Sequence, residues 1–166
     1  MTIIYHNFIG GFMETILQNM CMIYDRDNDK ILILDKVKKY GWEGLTFVGG
    51  HVEKGEVLYD SCVREVFEET GLTVENLKLK GTVSWIDEIN DKRELGFLYY
   101  TEDFSGELIE NNVEGKLFWM GIDEFKNADG KSYSIDKIFD LYLDDNYTEL
   151  IIKWGRNDEV VSEIFF

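Results

Sequence analysis

No proline occurs anywhere in the 166 residues, so every reversal of the chain has to be made by Gly, Asn or Asp. Only two cysteines are present, Cys21 and Cys62, both in apolar surroundings. Two buried free thiols in a reducing compartment are therefore expected in preference to a disulfide. Long hydrophobic runs are missing as well. The longest, IIYHNFIGGF at 3–12 and ILIL at 31–34, fall well short of the roughly 20 residues of a membrane span, and no basic segment precedes the first. Neither a membrane anchor nor a secretory leader is expected, which makes the cytoplasm the expected location. Positive charge is scarce, with 17 Lys and Arg against 33 Asp and Glu and a formal charge of -16. Such a surface argues against a nucleic-acid polymer as partner, because phosphate contacts need clustered cations. A small phosphate compound remains compatible, provided that metal ions accompany it.

What is present is core-forming material. With 45% apolar and 14% aromatic residues, the chain is expected to build one α/β domain over residues 1–166. Glu14 to Tyr24 and Lys30 to Asp35 read as strands of a hairpin across the polar turn Asp25 to Asp29, and Leu45 to Val48 as a short strand stopped by Gly49-Gly50. Further strands are expected at Leu77 to Trp85, Leu95 to Glu102 and Lys116 to Met120, with a closing hairpin from Glu149 to Trp154 and Glu159 to Phe165. Helical spacing marks Val57 to Thr70, Ile122 to Asn127 and Ser134 to Asp144.

Chemistry concentrates in Gly50 to Leu72, GHVEKGEVLYDSCVREVFEETGL. On a helical wheel Tyr59, Cys62, Val63, Val66 and Phe67 share an arc expected to pack on the core. Glu65, Glu68 and Glu69 share another, with Arg64 one turn before Glu68. Three carboxylates near a helix C-terminus oppose the macrodipole, at about 0.3–1 kcal/mol each, and the Glu65/Glu69 repulsion adds about 0.2–0.5 kcal/mol. A hard divalent cation with oxygen ligands would offset this; a solvated acidic face is the alternative. Gly49-Gly50 allow close backbone approach, Gly71 suits a left-handed helix terminus, and Glu56 is placed to cap the first helical amides.

These residues carry a resemblance. Gly50, five residues, Glu56, seven residues, Arg64-Glu65-Val66, one residue, Glu68-Glu69, one residue, Gly71-Leu72 resembles a complete Nudix box, with none of its nine specified positions departing from the pattern. The likeness to MutT-like members extends to LTFVGGHVE before it and EGKLFWMGIDEF after it, although many relatives have proline where Val48 stands. The resemblance implies an α/β/α sandwich with a mixed β-sheet and Mg²⁺-assisted water attack, with Mn²⁺ as a substitute, on a diphosphate bond of a nucleoside triphosphate or other NDP-X. An oxidised dGTP is one such substrate; ADP-ribose, dinucleoside polyphosphates and nucleotide sugars stay open. By position in the motif, Glu65, Glu68 and Glu69 are similar to the residues that bind metal or activate water, with Glu68 and Glu69 favoured as the main ligands, Glu65 as base or ligand, and the Gly49 carbonyl as a further ligand. Arg64 would orient the carboxylates. A fourth carboxylate usually comes from a later loop, and Glu114 is the first choice, Glu110 the second.

Substrate contacts are expected from Gly50, from Trp42 and Trp85 as stacking surfaces, and from Lys38 within the basic cluster Lys36, Lys38 and Lys39. Tyr40 and Phe118 are further aromatic candidates, Trp119 is assigned to the core, and His51 is left outside catalysis. Two other functions are weighed: a non-catalytic Nudix-fold nucleotide-binding regulator, disfavoured because all box carboxylates are kept, and a calcium-binding protein, disfavoured because no D-x-D-x-D-G loop occurs. Monomer and homodimer both remain open, the EIFF strand being a possible pairing edge.

Overall fold

The computed structural model describes residues 13–37, 42–155 and 159–166. Strands β1 (Glu14–Asp25), β2 (Lys30–Lys36) and β3 (Gly44–Thr46) precede helix α1 (Leu58–Thr70). β4 (Leu72–Glu75), β5 (Lys78–Asp87), β6 (Lys92–Thr101), β7 (Asp103–Gly106) and β8 (Gly115–Gly121) follow. Then come α2 (Ile122–Asn127), α3 (Ile135–Leu143), β9 (Glu149–Trp154) and β10 (Val160–Phe165). The main sheet runs β10-β9-β5-β6-β1-β2-β3 with β8 also on β2, and β4 pairs with β7 in a separate ribbon. The β1/β6 and β5/β9 pairs are parallel and the others antiparallel, so the sheet is mixed.

Both faces of the sheet are covered. Cys62 and Val66 of α1 pack with Cys21, Ile23, Leu32 and Leu34 on one side. On the other, Phe125 of α2 and Ile135, Ile138 and Phe139 of α3 meet Met22, Ile31, Ile33 and Val83. The run ILIL is apolar without alternation because Ile31 and Ile33 feed one cluster and Leu32 and Leu34 the other. The result is the expected α/β/α arrangement. No helix among the described residues is long and apolar enough to cross a membrane. Cys21 and Cys62 are buried and free.

Without proline, two hairpins use the same turn. Asp25 accepts the backbone N–H groups of Asp27 and Asn28, and Asp87 those of Ile89 and Asn90; Asp29 and Asp91 then take left-handed φ values of 54° and 52°. Short acidic or amide side chains that fold onto their own backbone supply the reversal that proline would otherwise favour.

Three sequence expectations are corrected. The hairpin β1/β2 is registered only at Tyr24↔Ile31 and Asp25↔Lys30, since β2 diverges to β8 and β3 while Glu14 to Ile23 of β1 pair in parallel with β6. Tyr59 and Phe67 do not reach the core and are 39% and 56% exposed. At about 100° per residue, Phe67 lies past the edge of a sheet-facing stripe set by Cys62, Val66 and Thr70. Third, β4 and β7 were not anticipated. They are four residues each and are held by pairing with one another, from Leu72↔Gly106 to Glu75↔Asp103.

Candidate active site

The glycine segment is fixed against β1. Cys21 N–H donates to the Val48 carbonyl and Asn19 N–H to that of Gly50, both at 2.8 Å, and Val52 N–H donates to Leu17 at 2.9 Å. Carbonyls alternate along an extended segment, so the groups of Gly49 between them face away from β1. Consistent with that, Gly49 N–H donates to Glu69 Oε2 at 3.1 Å. The same close approach explains the residue type: a Cβ on Gly49, whose φ is +150°, would stand 2.2 Å from the Asn19 carbonyl oxygen.

Arg64 organises the acidic end of α1. Its Nε and Nη2 bond the two oxygens of Glu56 at 2.8 and 2.9 Å, its Nη1 bonds Glu65 at 2.9 Å and Glu68 at 3.2 Å, and its Nη2 also bonds the His51 carbonyl at 3.1 Å. The guanidinium holds the Glu56 carboxyl down to about 2, with help from the Glu53 N–H. Glu56 was expected to cap the helix. It instead joins the turn to Arg64, and the N-cap is Val57, whose side chain has no cap to offer. Gly71 ends α1 with φ 74° and an N–H bond to Phe67 O. Because Lys has neither the planar fork nor the donor count to hold three carboxylates and a carbonyl, Arg64→Lys is expected to lower turnover roughly 10–100-fold. Steady-state kinetics of the folded variant check this; an unaltered kcat would remove the orienting role.

A cavity of about 450 Å³ opens beside this cluster. At one end it is lined by Glu65, Glu69, Glu114 and Lys36 with Gly49 and Gly50, at the other by Trp42, Trp85 and Tyr133. Glu69 is half-buried there, and loss of solvent pushes its carboxyl up to about 7, with Gly49 N–H and Lys36 acting against the rise and Glu65 and Glu114 adding to it. Lys36 Nζ is 3.4 Å from Glu114. Asn112 places that loop: its side chain accepts the Glu114 and Gly115 N–H groups and donates to the Glu69 carbonyl.

The expected residues thus fall into groups. Glu65, Glu69, Glu114, Gly49 and Gly50 come together with Trp42 and Trp85 around one cavity. Glu68 is not among the residues lining the cavity and bonds Arg64 with a side chain 58% exposed. Glu110 is solvent-exposed, and Phe118 and Trp119 pack against the two core clusters. Lys38, Lys39 and Tyr40, and the N-terminal run up to residue 12, lie outside the described residues. Asn112, Tyr133 and the pair Gln18 and Glu94, whose side chains hydrogen-bond in the same cavity, were not singled out in the sequence. Their place comes from distant strands and loops and leaves no local signal.

Among the described residues no three His, Cys, Asp or Glu stand close enough to hold a metal ion by themselves. The donor chemistry nevertheless suits a hard cation. Carboxylate and carbonyl oxygens face one cavity, and such ions take one or two carboxylates with water and substrate phosphate completing the shell. Arg64 and Lys36 now neutralise those carboxylates.

Comparison with known proteins gives a consistent set of relatives. The NUDIX domain family model matches residues 17–141. An uncharacterised Nudix hydrolase, YvcI of Bacillus subtilis, is 30% identical over 128 residues, 74% of this chain and 79% of that protein. The NAD-capped RNA hydrolase NudC of Haemophilus influenzae is 35% identical over 101 residues, 60% of this chain; the chain spans only 37% of that relative's length. In structure, the mutator MutT protein from Bacillus halodurans superposes with a TM-score of 0.76 at 27% identity, covering 90% of this chain and 97% of that one.

Proposed function

The chain belongs to the Nudix hydrolase family, MutT-like enzymes that hydrolyse pyrophosphate bonds in nucleotide-containing substrates, and from that premise we propose that it cleaves a nucleoside triphosphate or other NDP-X with Mg²⁺. Its substrate range under this reading includes an oxidised dGTP. The observation that carries the reading is the two-ended cavity, with carboxylates and a glycine backbone at one end and an aromatic wall at the other. That division matches a ligand with a polyphosphate tail and a flat heterocycle. A formal charge of -16 disfavours an RNA strand as substrate, so the capped-RNA activity in the name of NudC is not carried over.

Divalent metal, which Nudix hydrolases generally use, would be held by Glu65, Glu69 and Glu114 with the Gly49 carbonyl, and supplies charge neutralisation for the phosphate chain and a water of lowered pKa. Glu65, kept in place by Arg64, and Glu69, kept by Gly49 N–H, are the groups positioned to take the proton from the attacking water. Glu68 secures Arg64 and is a further carboxylate, beside those three, available to the metal. Lys36 offers the phosphate chain a cation at the edge of the acidic cluster. Trp42 and Trp85 form the wall for the heterocycle and Gly50 leaves room for the tail; Lys38 joins them as a phosphate contact. A single domain over 1–166, a cytoplasmic location and a monomer or homodimer complete the proposal.

The test is release of phosphate or pyrophosphate from a panel of nucleotide derivatives, with and without Mg²⁺, in the natural chain and in Glu68→Gln. Metal-dependent release by the natural chain and reduced release by the variant are expected. Equal turnover by the two proteins would take Glu68 out of the machinery, and nucleotide binding with no turnover of any member would remove the catalytic reading of this cavity.

A further inference from the structure

Beside Trp85 in the same cavity lies a polar pair. Gln18 on β1 donates its side-chain N–H to Glu94 Oε2 on β6, both side chains being part-buried and both lining the cavity. Glu94 is also the cross-strand partner of Trp85, so the two side chains share one face of the sheet. The indole lies over Gly96, two residues along β6, where a Cβ would meet Trp85 Cζ3 at 3.1 Å and Val83 Cγ1 at 2.9 Å. Trp85 Nε1–H donates to Ser134 Oγ at 3.1 Å, which fixes the plane of the ring. A carboxylate standing beside an immobilised indole, outside the helix that carries Glu65 and Glu69, is given no part in the hydrolysis described above.

We propose that Gln18 and Glu94 read the edge of the substrate base and select guanine. This rests on the nucleotide diphosphatase reading of the same cavity. The orientation of the carboxamide follows from charge, since its oxygen turned toward Glu94 would set acceptor against acceptor. Its nitrogen carries two N–H groups, and the bond to Glu94 engages one. The pair therefore presents a donor followed by two carboxylate acceptors. Guanine presents the complement along its Watson–Crick edge: O6 accepts, N1–H and the N2 amine donate. Hypoxanthine lacks the amine and meets two of the three positions. Adenine, even when turned over, meets one and sets N1 against a carboxylate oxygen. Uracil and cytosine each set an acceptor against a carboxylate oxygen. Carbon 8 lies on the far side of the purine, so this edge does not distinguish guanine from its 8-oxo form.

Intrinsic tryptophan fluorescence reports binding directly, because Trp42 and Trp85 line the cavity and nucleoside monophosphates contain no diphosphate bond to be cut. Titration of the full chain with guanosine, inosine and adenosine 5′-monophosphates in Mg²⁺ is expected to show guanosine bound roughly 10–100-fold more tightly than inosine. Glu94→Gln, which loses the second acceptor and the charge, should bring that ratio close to one. Gln18→Ala should weaken guanosine and inosine alike and preserve the ratio, which tests the pair even where the Glu94 variant does not fold. Inosine bound as tightly as guanosine by the natural chain, an unchanged ratio in folded Glu94→Gln, or no effect of Gln18→Ala would overturn the proposal. Turnover of the corresponding triphosphates separates the two readings. Hydrolysis without base preference defeats the guanine selection alone, while base-selective binding with no hydrolysis of any diphosphate supports the selection and defeats the diphosphatase reading.

Discussion

Glu69→Gln is expected to slow diphosphate hydrolysis by about 10²–10⁴-fold and, in the absence of divalent metal, to make the protein harder to unfold. The loss of rate follows from the position of this carboxylate in the cavity, on Gly49 N–H and beside Glu65 and Glu114. The gain in stability follows from its burial. An acid whose carboxyl is pushed from its ordinary 4.5 up to about 7 binds its proton more tightly in the folded chain than in the unfolded one. Folding is therefore undisturbed by this group below pH 4.5, and stability drains away as the pH rises from 4.5 to 7, where the native carboxyl finally ionises. The width of that window corresponds to about 3 kcal/mol. Glutamine, isosteric and neutral, escapes the penalty. Thermal unfolding in chelator should show the two proteins close together at pH 4 and the variant clearly higher at pH 8, and Mg²⁺ at pH 8 should narrow the gap. A gap that does not change with pH would show that burial of this charge costs nothing.

The second large effect contrasts two adjacent glycines. A Cβ on Gly50 would lie 2.4 Å from Glu65 Oε2 and 2.5 Å from its Cδ, the far end of a side chain that can move aside. On Gly49 it would lie 2.2 Å from a backbone oxygen of β1, at a φ of +150° that L side chains rarely adopt. Gly50→Ala should keep a melting temperature close to that of the natural chain and lose about 10²-fold in kcat, because a displacement of the order of 1 Å at a reacting group has that consequence. Gly49→Ala should lose stability first, by several kcal/mol, since no flexible group is there to yield. Circular dichroism melts alongside kcat sort the two. Should Gly50→Ala retain full activity, the position of Glu65 would be irrelevant to the chemistry.

Much of the carboxylate end was legible in the sequence because it is local. Arg64, Glu65, Glu68 and Glu69 sit within two turns of one helix, whose spacing alone brings them together, and Gly71 marks its end. Glu114 needed the resemblance, since its loop is brought to α1 by the Asn112 side chain and by Ile109 N–H on the Thr70 carbonyl, contacts between residues far apart in the chain. The base end was legible only in part. Gln18 and Glu94, 76 residues apart, meet across a parallel pairing of β1 with β6, and nothing in either strand announces it. Alternation within a strand shows which residues share a face; it does not show which strand lies alongside. Tyr59 and Phe67 teach the converse, because an apolar residue on a helix wheel is buried only if the neighbouring layer extends that far.

The alternation along β1 divides the enzyme into two separately adjustable parts. Odd-numbered Asn19, Cys21 and Ile23 turn toward the catalytic helix, with Asn19 bonded to Ser61 of α1, while even-numbered Gln18, Met20 and Met22 turn to the aromatic side. Variation at alternate positions of a single strand can thus alter the layer on one side of the sheet while leaving the other alone. The helix with its carboxylates and the opposite face of the strand beneath it are in this way free to vary separately.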